Sequence, residues 1–85
     1  MNNVFEILVA NDIKQLVATT RNIYSVIRER KDFGCCFELV GQVQGMAAAE
    51  FLMKDAANNR PNDSVYIYRY DYSYGTIFKC DEILR

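Results

Sequence analysis

Tyrosine recurs at positions 66, 68, 70, 72 and 74, and this run holds five of the six tyrosines in the chain. A period of two belongs to extended backbone, so the run predicts a strand with its phenol rings on one face. Tyr offers a large apolar ring and a hydroxyl and loses little rotamer entropy when held, which suits both cores and partner surfaces.

The rest of the composition bounds what can carry that strand. With 85 residues, 51% hydrophobic and 25% charged, the chain reads as one globular domain over residues 1–85. A domain of this size buries only about 60–65% of its unfolded surface, so pairing with a partner or as a homodimer would add stability. Ten Lys and Arg against eleven Asp and Glu leave a formal charge of −1, which argues against a generic polyanion binder. Cys35, Cys36 and Cys80 are odd in number and spaced like neither a disulfide framework nor a zinc site. Residues 1–6 carry no basic leader, and the apolar stretch 7–10 is too short for a signal h-region or a membrane span. The expectation is a cytoplasmic chain with reduced thiols and no membrane contact.

Helical spacing of Ile13, Leu16, Val17, Ile23, Tyr24 and Ile27 predicts a helix over 12–31, with Asn11 as its N-cap and Arg28, Arg30 and Lys31 in its last turn. Before it, residues 4–10 alternate like a strand, although Asn3 and Glu6 are spaced like a capping box and allow a short helix instead. Strong helix formers at 46–57 predict a second helix, extended back to residue 36 because Phe37, Val40, Gln44, Ala47 and Phe51 recur every three or four residues. A strand over 35–43 competes with that extension. If the helix is continuous, Gly41, Gly45, Ala48 and Ala49 form a small-residue strip where the first helix can approach closely.

Pro61 and the Asn and Asp residues around it end the helix and turn the chain. Two strands follow over 64–72 and 76–83, joined by a three-residue loop, Ser73-Tyr74-Gly75, with Gly75 left-handed. That loop pairs Tyr72 with Thr76, Tyr70 with Phe78, Tyr68 with Cys80 and Tyr66 with Glu82. The expected fold is therefore α+β, an antiparallel helical pair packed on a small antiparallel sheet in the order β-α-α-β-β. The alternatives are β-α-β-α-β-β, or a short N-terminal helix in place of the first strand.

Residue chemistry points away from catalysis. The chain has no histidine, which removes Ser-His and Cys-His dyads and histidine-bearing zinc sites. Glu38 and Glu50 are too far apart in sequence to suggest a dyad, and Gly41-Gln42-Val43-Gln44-Gly45 lacks the remaining features of a phosphate loop. Cys35 or Cys36 near a helix start would be an activated thiol, against the commoner role of cysteine as a small buried hydrophobe. No enzyme, metal or cofactor is expected.

Binding is the better reading. Tyr68, Arg69, Tyr70, Tyr72 and Tyr74 form the candidate partner surface, because Tyr and Arg dominate desolvated protein interfaces and the hairpin tip outreaches a small core. An aromatic outer strand with few charges would also accept another strand at its edge. The expected function is that of a non-catalytic protein-interaction module, a small inhibitor or adaptor of the kind mobile elements encode. The alternative is nucleic-acid binding by the tyrosine face together with Lys14, Arg21 and Arg28, which repeat every seven residues and share one stripe of the expected first helix, and Arg30 and Lys31 close to its end.

Overall fold

In the computed structural model, which describes residues 13–31 and 36–85, Ile23–Arg30 is a strand (β1) rather than the second half of a helix. Only residues 13–16 of the described chain are helical before it (α1), and a turn over 20–22 with Asn22 at φ 63° leads into the strand. The expected cap at Asn11 and the element at 4–10 lie outside the described residues. The helical spacing misled for a physical reason. β1 is an inner strand with both faces covered, so Val26 and Ile27, on opposite faces, are each 0% exposed. A strand buried on both sides is apolar without alternation and mimics the stripe of a helix.

The next element, Cys36–Gln44, is also a strand (β2), as in the competing reading, and the second helix (α2) starts only at Met46 and runs to Asn59. Gly45 separates them at φ 89°, a conformation that a residue with a Cβ rarely adopts. The small-residue strip dissolves accordingly. Gly41 lies in β2 beneath Leu52 of α2, Ala49 is buried against the sheet, and Ala48 is exposed.

Two C-terminal strands, Ser64–Asp71 (β3) and Thr76–Ile83 (β4), complete a four-stranded antiparallel sheet in the order β2-β1-β3-β4. The fold is α+β, but the helices do not pair with each other. On one face Ala49, Met53, Ala56 and Ala57 of α2 pack on Val26, Val65 and Ile67. On the other, Ile13 and Val17 pack on Ile27, with Phe37, Tyr68, Tyr70 and Ile77 around them. Lying on opposite sides of the sheet, α1 and α2 have no shared surface for a glycine strip to serve. The tyrosine strand is interior as well, so the edges are β2 and β4.

Register also departs from expectation. Tyr66 faces Glu82 as predicted, but Tyr68 faces Lys79, Tyr70 faces Ile77 and Asp71 faces Thr76, with a bulge opposite Ile67 and Tyr68. The loop therefore holds four residues, 72–75, with Gly75 left-handed at φ 63°. Asp71 explains the early end of the strand, since its Oδ1 accepts the Ser73 backbone N–H at 2.9 Å and turns the chain one residue sooner. Ile77 replaces Phe78 on the tyrosine face as a result.

The expected basic stripe is absent, because its members lie on different elements. Lys14 belongs to α1 and Arg21 to the following turn. Arg28 and Arg30 project from one face of β1 toward carboxylates: Arg30 Nη1 lies 2.9 Å from Glu38 Oε2, and Arg28 Nη1 lies 3.6 Å from Glu38 Oε1. Both also approach Asp63 Oδ2, at 3.8 and 3.9 Å, and Lys31 Nζ sits 3.4 Å from Glu29. Asp63 is only 2% exposed, and its oxygens accept from Arg60 Nε at 2.8 Å and from the Lys31 backbone N–H at 3.0 Å. A buried carboxylate survives ionised only with such partners, so these cations anchor the α2–β3 loop to β1.

Candidate functional site

The β3–β4 hairpin divides the five expected contact residues among three environments. Tyr68 and Tyr70 lie half-buried on the face covered by α1. Arg69 points to the opposite face, where its guanidinium stacks over Phe78 at 4.9 Å. Tyr72 and Tyr74 are in the loop and are 49% and 83% exposed, as expected for the tip.

The inner rings have structural work. Tyr66 and Tyr68 meet at a centroid distance of 6.2 Å, and the Tyr66 hydroxyl donates to Glu29 Oε1 at 2.6 Å, tying β3 to β1. Burial, reinforced by that carboxylate, pushes the Tyr66 hydroxyl well above the usual phenol range, and burial raises Tyr68 as well. Tyr66 is thereby held as a neutral hydrogen-bond donor. On β4, Lys79 Nζ is 2.6 Å from Glu82 Oε2 and 5.9 Å from the Tyr66 ring centre, and the hydrogen bond to Glu82 raises its pKa. Burial likewise raises the Cys80 thiol, which makes it a poor nucleophile.

At the tip the Tyr72 ring is braced by its neighbours. Tyr72 packs edge-on against Tyr70 at 5.0 Å and 80°, and the Arg21 guanidinium lies 5.1 Å from the Tyr72 ring centre. Such contacts hold an exposed ring at little further entropic cost on binding. Arg21 thus belongs to the hairpin end, a role that its expected place on a helix concealed. Phe78, 49% exposed, adds an apolar ring on the other face.

Between the hairpin and the turn before β1 lies an open cleft of about 460 Å³, lined by residues 20–24 and 69–73. The helix expected over 12–31 conceals it, because that helix would place residues 20–24 at its middle. The one local signal is Thr19-Thr20, a pair of poor helix formers, with Asn22, a residue that tolerates φ > 0, two positions on.

Among the described residues, no group of three or more His, Cys, Asp or Glu is placed to hold a metal ion, and no helix is long and apolar enough to cross a membrane. Compared with protein-family profiles, curated proteins and solved structures, the chain matches none.

Proposed function

We propose that this chain is a non-catalytic interaction domain, a small inhibitor or adaptor, that engages another protein through the β3–β4 hairpin end. The observation that carries the reading is the pair Tyr72 and Tyr74, exposed at 49% and 83% on a tip whose Tyr72 ring is braced by Tyr70 and Arg21. Rigid aromatic rings beside arginine are the usual centres of binding energy in protein interfaces. A protein partner is favoured over nucleic acid because Arg28 and Arg30 are engaged by Glu38 and Asp63 instead of lining a groove with Lys14 and Arg21. The odd number of cysteines suits a reducing compartment such as the cytoplasm.

The test is the double variant Tyr72→Ala with Tyr74→Ala. Its thermal transition should stay within about 2 °C of the parent, as befits exposed positions. Capture of a partner from the native host, saturable and reproducible for the parent, should fall at least about tenfold. If the partner is a second copy, the parent sediments as a concentration-dependent dimer and the variant as a monomer. Unchanged capture by a folded variant, or a variant that fails to fold, would remove the tip from the interface.

A further inference from the structure

Helix α2 carries apolar side chains on both of its faces. The inward face holds Ala49, Met53, Ala56 and Ala57, all buried against the sheet. Residues three and four apart share a face of a helix, so Ala47, Ala48, Lys54 and Asp55 surround Phe51 on the opposite side. All five are exposed, and Phe51, at 77%, is more exposed than Tyr72 at the hairpin tip. From Met46 to Met53 the helix has a single charged residue, Glu50. A stretch of helix that is apolar nearly all round belongs between two layers, and the described residues supply one, the sheet.

The charges beside Phe51 select what covers it. Glu50 and Lys54 lie one turn apart on the same flank of that ring, and neither has an ion-pair or hydrogen-bond partner among the described residues. When two copies of the helix meet antiparallel about a two-fold axis at Phe51, like flank meets like flank, so Glu50 of each copy comes beside Lys54 of the other. The surface complements itself in charge.

Its shape suits the same arrangement. Ala47 and Ala48 of one copy then face residues 55 and 54 of the other, where small side chains let the helix axes approach to about 8–10 Å and the Lys54 stem lie over Ala48. A net charge of −1 opposes the meeting of two copies only weakly.

We propose that the outer face of α2 is a symmetric dimer surface, with Phe51 against Phe51 at its axis and a Glu50–Lys54 pair on either side of them. A helix face of this length buries about 800–1,000 Å² in all, at the low end for specific interfaces, so the dimer is weak, with a Kd of about 0.1 mM. The surface is independent of the hairpin end, because α2 lies across the sheet from Tyr68 and Tyr70.

The test is sedimentation equilibrium of the full chain from about 10 µM to about 1 mM, over which the parent should pass reversibly from monomer to dimer. Phe51→Glu, which sets two carboxylates at the axis, should weaken pairing at least about tenfold. At about 10 µM, where both chains are monomers, its thermal midpoint should stay within about 2 °C of the parent's, as befits an exposed position. Glu50→Lys and Lys54→Glu should each weaken pairing about threefold or more, and the chain carrying both exchanges should regain it. That recovery decides the matter even if the Phe51 variant folds poorly. Tyr72→Ala with Tyr74→Ala should pair as the parent does, which keeps this surface distinguishable from the hairpin end. A parent that stays monomeric at about 1 mM, a dimer that Phe51→Glu leaves intact, or charge reversals that the double exchange does not rescue overturns the proposal. Loss of the dimer in the tyrosine variant also overturns it and assigns pairing to the tip.

Discussion

Tyr66 shows how one side chain of the tyrosine run serves the core while its neighbours at the tip face water. Its hydroxyl donates to Glu29, so Tyr66→Phe leaves a largely buried carboxylate, also paired with Lys31, short of a donor. The expected cost is about 2 kcal/mol, read as a lower denaturation midpoint at neutral pH. The same contact sets an alkaline limit on stability. Tyr66 holds its proton more tightly folded than unfolded, so its contribution is complete below the unfolded phenol value of about 10 and is lost as pH rises from there through the higher folded value. Unfolding titrations between pH 9 and about 11 should show a smaller loss of stability in Tyr66→Phe than in the parent. Tyr68, also raised by burial, keeps the variant's slope from vanishing.

Elements differed in how far the sequence disclosed them. The C-terminal hairpin was legible because alternation, Pro61 and Gly75 agreed, and β4 fell within its expected bounds of 76–83. β1 and β2 were not, and for opposite reasons. β1 is covered on both faces and so carries no alternation. β2 is an edge strand whose Phe37, Val40 and Gln44 matched a helical period by coincidence, with a bulge near Val40 spoiling the alternation that would have betrayed it. The proposed partner surface was half legible: exposure at Tyr72 and Tyr74 followed from the hairpin, whereas Arg21 and the cleft beside it required knowing that β1 is a strand. A close approach checks how α2 sits on β2. A Cβ at Gly41 would lie 2.9 Å from Leu52 Cδ2, so Gly41→Ala should cost about 1 kcal/mol by forcing that side chain aside. Combined with Leu52→Ala, the two changes should be less than additive by at least about 0.5 kcal/mol in a double-mutant denaturation cycle.

Taken together, the elements form three layers, with α1 on one side of the sheet, α2 on the other, and two hairpins side by side between them. Covering both faces leaves edges, ends and protruding rings exposed, and the aromatic tip and the cleft share one end. Asp63 and its cations lie toward the other end, beside the last β1–β3 pair, Glu29 opposite Ser64. The sheet is thus clamped where the chain crosses over from α2 and open where the tyrosines emerge.

That arrangement of pairings also orders the assembly of the chain. Each hairpin joins residues close in sequence, whereas only the seam between them, which includes Val26 against Ile67, spans α2 and its loop. Closing short loops first is entropically cheaper, so the hairpins form early and the seam late. Val26→Ala and Ile67→Ala should therefore accelerate unfolding about tenfold or more while changing refolding rates less than about threefold, as stopped-flow chevrons would read. The native state is then kept chiefly by the last interface to zip, and spontaneous opening would begin at the unclamped end, where that zip is already incomplete.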